Sequence, residues 1–143
     1  MPSLFTAVHR RFLESHRVAH LATAGAEGMP HVVPVCFAFD GKCIYIAIDE
    51  KPKRVAGSRL KRLRNIAENS QVALVVDDYS DDWSRLAWLM VRGRAEVVLA
   101  GRERAEALRS LRAKYPRYQA MALEDLPLLV ITPDRITAWG KVT

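Results

Sequence analysis

Between Lys51 and Arg64 the chain places seven cations, Lys51, Lys53, Arg54, Arg59, Lys61, Arg62 and Arg64, and no carboxylate. Basic runs in tails are solvated or coat nucleic acid; this one lies between an apolar strand pattern and an apolar-faced helix. A strand that ends in basic residues and leads into a helix N-terminus can hold a phosphate. Backbone N–H groups, the helix dipole and the side chains then converge on one anion. Taken singly, Arg59, Lys61, Arg62 and Arg64 also fit the outer face of a helix whose inner face is Leu60, Leu63 and Ile66. As a group they repel one another, and surfaces ordinarily intersperse acids, so their density points to an anionic ligand. The formal charge of +6 is a local feature, because the chain outside this segment is close to neutral.

Other chemistries find little support. There is no glycine-rich phosphate loop and no Gly-x-Ser-x-Gly. His16 and His20 are four apart but straddle a helix-to-strand junction, so the spacing does not make a metal pair and no metal is expected. The acidic loop with Asp77, Asp78, Asp81 and Asp82 lacks the ligand spacing of a calcium loop and reads as a solvated loop near the basic segment. No serine or cysteine has a base partner, so no catalytic side chain is assigned. Cys36 and Cys43 flank Asp40-Gly41. A two-residue hairpin turn there sets Cys36 opposite Tyr45 and Cys43 opposite Ala38, a diagonal arrangement that disfavours a disulfide. Trp83, Trp88 and Trp139 read as core or interface.

The elements that position these residues follow from hydrophobic period. Leu4, Phe5, Val8 and Phe12 predict a helix over 3–15. Strands are expected over 17–24, within the apolar run 31–39, and over 43–48, with turns at Gly25–Gly28 and Asp40-Gly41. A helix follows over about 59–69 with Leu60, Leu63, Ile66 and Ala67 inward, then a strand over 71–77. A further strand begins at Trp83 or Leu86 and runs to about Leu99, with Gly93 marking a bulge. A third helix over about 102–115 turns Ala105, Leu108 and Leu111 inward and stops at Pro116; a helical turn over 117–122 follows. Two short strands, 128–132 and 135–139, flank a Pro133-Asp134 turn. The fold class is β-dominated α+β. It is one domain over 1–143, an antiparallel split β-barrel of six to seven strands with about three peripheral helices. No apolar run approaches the roughly 20 residues that span a bilayer, and the N-terminus meets His9, Arg10 and Arg11 too early for a signal sequence, so a cytoplasmic protein is expected.

In order and spacing, several segments resemble the flavin-binding split-barrel proteins of the pyridoxamine phosphate oxidase class, particularly the branch that uses the deazaflavin coenzyme F420. They are His20-Leu21-Ala22-Thr23, Pro30-His31-Val32-Val33-Pro34-Val35, Ile44-Tyr45-Ile46-Ala47-Ile48-Asp49, Lys51-Pro52-Lys53-Arg54 and Leu60–Ile66 ahead of Asn69–Leu74. The Asp82-Trp83 loop is similar to the deazaflavin branch, and Ile131–Trp139 is a weaker echo.

The resemblance implies a homodimer with cofactor sites at the subunit interface. It places the strand of Val33, Pro34, Val35 and Cys36 along the ring and Lys53, Lys61 and Arg62 at the phosphate. Arg54, Ser58, Arg64 and Asn65 are secondary, and Trp83 and Trp88 match the region a partner subunit brings toward the ring. The cofactor then carries the hydride and the protein orients it, which suits a chain without a catalytic cluster. FMN offers one phosphate, whereas the deazaflavin adds carboxylates; seven cations favour the deazaflavin, with FMN the alternative. The short ending Trp139–Thr143 does not match the longer C-terminal segment of true pyridoxamine phosphate oxidases. The expected activity is hydride transfer to a small organic acceptor. The rivals are a cofactor carrier without turnover and a nucleic-acid-binding regulator; the latter is disfavoured because neither a recognition helix nor a stacking platform stands out.

Overall fold

Leu21, Leu74, Val76, Leu89, Val91, Leu129 and Ile131 fall on alternate strand positions, and all enter one buried cluster. That alternation curls the sheet around its own core. The computed structural model describes residues 4–48, 60–124 and 126–142. Within them the strands are β1 (Ala19–Ala24), β2 (Pro30–Val35), β3 (Ala38–Phe39), β4 (Ile44–Ala47), β5 (Gln71–Asp78), β6 (Ala87–Val98) and β7 (Leu128–Gly140). The helices are α1 (Ala7–Ser15), α2 (Lys61–Glu68) and α3 (Arg102–Lys114). The strands form one seven-stranded sheet, all pairings antiparallel, in the order β2-β1-β5-β6-β7-β4-β3. The chain has the split-barrel fold.

Phe12 and Leu13 of α1 and Leu63 and Ile66 of α2 join that core. β4 is buried on both faces: Ile44 and Ile46 face the barrel core, while Tyr45 and Ala47 join a second cluster built on Ala107, Leu108 and Leu111 of α3. The Tyr115 hydroxyl fastens the two layers. It accepts from Phe37 N at 2.9 Å and directs its one proton at Phe37 O (2.8 Å) or Arg17 O (2.9 Å). Lys114 lays its Nζ 3.8 Å from the centroid of the Phe37 ring. Burial, with help from the Arg17 charge, pushes its ammonium down to about 8.

Several expectations change. α1 begins at Ala7, because Thr6 caps it: Thr6 Oγ1 accepts from His9 N at 3.1 Å, and His9 Nδ1 accepts from Thr6 N at 3.3 Å. β1 starts at Ala19. The 31–39 run is broken at Cys36-Phe37, where the chain crosses from one end of the sheet to the other. The β3–β4 register is Ala38↔Tyr45, two residues off the expected pairing. The turn centres on Gly41-Lys42 because Asp40 Oδ1 accepts from both Lys42 N (2.8 Å) and Cys43 N (2.7 Å). Both cysteines are free. Ala67 and Ala105 are exposed, whereas Arg62, Asn65 and Arg104 are buried. Arg104 is held inside by the carbonyls of Leu123 and Leu126, at 2.6 and 2.5 Å.

The expected Pro133-Asp134 turn is instead the interior of one long strand. Gly93 pairs with Pro133 at a register shift after Arg92, so the proline sits at a bulge, where a ladder can dispense with its missing N–H. A Cβ on Gly93 would lie 2.3 Å from Thr132 O, so only glycine allows the two strands to close there. Gly93 as a bulge marker is borne out.

Tyr115→Phe should lower unfolding stability by about 1–3 kcal/mol in urea, the cost of a buried Phe37 N–H left without its acceptor. A loss below about 0.5 kcal/mol, the range of neutral surface changes, would contradict that role. A second expectation concerns pH. In the unfolded chain Lys114 titrates near its ordinary 10.5, and in the folded chain near 8. Between those values the unfolded chain holds more protons, so stability should rise with pH across that window. Tyr115, pushed up to about 12 by burial, opposes the rise only above pH 10, where the unfolded tyrosine ionises. Lys114→Met should flatten the rise between pH 8 and 10, measured by thermal unfolding at fixed ionic strength; an unchanged slope would assign it to other groups.

Candidate functional site

The helix that follows the basic segment owes its seat to three residue types. Leu63 and Ile66, three apart, point into the barrel core, which carries Arg62 and Asn65 inside with them. Asn65 is 1% exposed and its Nδ2 donates to Thr23 Oγ1 at 3.0 Å. One turn on, Glu68 Oε1 accepts from Ala26 N at 2.8 Å. Gly25 makes room for both, since a Cβ there would lie 2.6 Å from Glu68 Oε1 and 3.1 Å from Asn65 Oδ1. The first hairpin thus grips the helix through Thr23, Gly25 and Ala26. Lys61 and Arg64, three apart on the opposite side, are exposed.

His31 pairs with Thr23 across β1 and β2, and so lies on the same side of the sheet. Its Nδ1 is buried without a partner among the described residues. Thr23 and His31 escaped the sequence reading as site residues. Their signal was present: both are polar at strand positions whose parity faces the core.

The predicted ring-binding strand divides by parity. Val33 and Val35 pair with Leu21 and Ala19 and turn inward, whereas Pro34 pairs with His20 and turns outward. Cys36 is half-buried beside the α3 cluster. β2 is an edge strand of the sheet. Pro30 and Pro34 share parity, and a proline nitrogen cannot serve the β1 ladder. The free edge of β2 therefore offers the Val32 N–H between two prolines. Trp88 pairs with Trp139 and lies on the outward face with Met90, in reach of the row Pro34–His20–Val75–Met90. Trp83 stands in a short 3-10 turn, 74% exposed, whose start Asp82 caps by accepting from Ser84 N at 3.1 Å. The structure therefore places Lys61, Arg62, Arg64 and Asn65 on one helix, joined through Thr23 to the strand pair that carries His31, and sets Pro34 and Trp88 on the outer face. Lys53, Arg54 and Ser58 lie outside the described residues. Among the described residues no three His, Cys, Asp or Glu side chains converge as a metal site would require.

Residues 5–140 match the pyridoxamine 5'-phosphate oxidase family. The chain belongs to that family. It is 35% identical over 138 residues to a 5a,11a-dehydrotetracycline/5a,11a-dehydrooxytetracycline reductase of Streptomyces rimosus, covering 95% of this chain and 83% of that protein. Among solved structures, a conserved hypothetical protein of Mycobacterium tuberculosis superposes with a TM-score of 0.76 at 20% identity, over 95% of this chain and 85% of that one. A heme binding protein of Mycobacterium smegmatis superposes with a TM-score of 0.76 at 21% identity, over 98% of this chain and 55% of that one. These two likenesses establish the shared family fold. No helix among the described residues is long and apolar enough to cross a membrane.

Asn65→Ala should cost about 1–3 kcal/mol in urea unfolding, because it strips a buried hydroxyl of its donor. Thr23→Val should cost less than Thr23→Ala, and the Asn65 and Thr23 changes should be non-additive in a double-mutant cycle. Strict additivity would show that the 3.0 Å contact does not hold the helix.

Proposed function

We propose that this chain is an oxidoreductase that binds reduced coenzyme F420 at the interface of a homodimer and passes hydride to a small organic acceptor. The observation that carries the reading is its 35% identity, over nearly the whole chain, to a 5a,11a-dehydrotetracycline/5a,11a-dehydrooxytetracycline reductase. The geometry fits such a cofactor. Lys61 and Arg64 are exposed on the first turn of α2, where an anion meets two cations and the positive end of the helix dipole. The exposed edge of β2 supplies backbone polar partners for a flat heterocycle. When bound, the deazaflavin supplies the hydride; the chain positions the cofactor, screens it from water and sets the charge around it. Arg62 is 7% exposed, so within the phosphate group it serves from inside the helix seat, and Lys61 and Arg64 are the accessible anchors.

The dimer has its own support. Trp139 is 53% exposed on the outward face, beside half-buried Val75, Trp88 and Met90. A sheet face of that composition gains by being covered, and a second copy laid there brings Trp88 toward the Pro34 strand.

Fluorescence titration of the purified protein with F420 and with FMN tests the reading. Micromolar or tighter F420 binding is expected. Lys61→Ala should weaken it by about tenfold or more, as the loss of one charged hydrogen bond implies. Binding of FMN alone would overturn the cofactor choice. Binding of neither would overturn the oxidoreductase reading, and binding without turnover of any enone acceptor would leave a carrier.

A further inference from the structure

The outward face of the sheet changes character along β6. Beyond its tryptophan end, Arg92 and Arg135 are direct cross-strand partners, and Arg94 follows on the same face opposite Gln71. All three arginines are exposed. Among the described residues none of their side chains forms an ion pair or hydrogen bond. Asp134 is adjacent and lines the same groove, yet makes no ion pair with either partner. Like charges set directly opposite one another destabilise a sheet pair. Here the register shift between Arg92 and Gly93 is what sets Arg92 opposite Arg135 while Gly93 meets Pro133, and bulges recur where a side chain must be aimed.

Arg92 and Arg135 border a groove of about 460 Å³, with Arg94 one step further along β6. Its floor is Ala22, Ala24 and Ala73, small enough to leave the sheet surface accessible, and Pro30 and Gln71 flank it. Cross-strand partners hold their Cβ atoms about 5 Å apart. Two guanidinium forks at that spacing can clasp one phosphate or a pair of carboxylates, each with two hydrogen bonds. The groove opens on the side of the sheet away from α2 and shares only Thr23 with the seat of that helix. Leu63, Ile66 and Asn65 dock α2 on the core side of the sheet through Thr23, whereas Ala22 and Ala24 face the other way.

We propose that this groove is a second anion site, which takes the phosphate or paired carboxylates of a small molecule between Arg92 and Arg135. The inference does not depend on the identity of the cofactor. Two cross-strand arginines over a shallow, open groove with a carboxylate at its rim suit a compact anion better than a nucleic-acid backbone, which would track a longer basic stripe.

The test is calorimetric titration of the full chain at low salt with inorganic pyrophosphate and with tricarballylate, beside the double variant Arg92→Gln/Arg135→Gln. The expected result is binding of at least one probe, weakened tenfold or more in the double variant. Without probe, the double variant should unfold at the same or a higher temperature than the parent, because the repulsion is gone. Pyrophosphate preference assigns the site to phosphates and tricarballylate preference to carboxylates. Equal affinity in the double variant, or no binding of either probe, overturns the proposal. So does a lower unfolding temperature without probe, which would make the arginines structural. A change confined to self-association in sedimentation would also overturn it, by assigning the arginines to carboxylates of a second copy.

Discussion

The ladder between β6 and β7 is the constraint on which the other elements depend. It pairs Ala87–Val98 with Leu128–Gly140 along its whole length and bends once, at the shift after Arg92. Before the bend, β7 is buried on both faces, with Leu128, Leu129, Val130 and Ile131 no more than 1% exposed. After it, the same strand runs along the solvent side. One continuous pair of strands therefore supplies the barrel core, the floor under α3 and the outward face. Gly93 is what allows the bend, because Thr132 O occupies the space a side chain would need.

On the core side, that framework leaves one end of the barrel to be closed by α2. The closure is polar where a purely apolar plug would also pack: Asn65 meets Thr23, and Glu68 meets Ala26 N. Apolar contacts from Leu63 and Ile66 tolerate rotation of a short helix, whereas directional hydrogen bonds do not. The polar pair fixes the azimuth of α2, and with it the direction in which Lys61 and Arg64 project. A helix of eight residues has little stability of its own, so its orientation has to come from tertiary contacts.

The outward face is divided in the same economical way. Trp88, Met90 and Val75 make one end apolar, and Arg92, Arg94 and Arg135 make the other basic. The change occurs over a few residues of one strand. A strand keeps every second residue on a face, so two dissimilar surfaces can share it without disturbing the core beneath.

Much of this was legible in the chain itself. Period-two alternation at Ile44–Ile48, the apolar run at 71–77 and the Gly93 interruption each encode a local backbone choice, and each held. The spacing of Leu63 and Ile66 likewise dictated an inward helix face. The basic cluster around Lys61 was also visible from charge density alone. What sequence could not determine was partnership. That Pro133 lies within a strand follows from its meeting Gly93 across the ladder; that Arg62, Asn65 and Arg104 are inside follows from polar partners supplied by distant segments. The pairing of Arg92 with Arg135, 43 positions apart in sequence, is likewise set by the register of the ladder. Period and composition are properties of neighbouring residues, and so the sequence by itself determined the elements and the presence of a basic cluster. Register and polar satisfaction depend on which segments meet, and only the tertiary structure decided those.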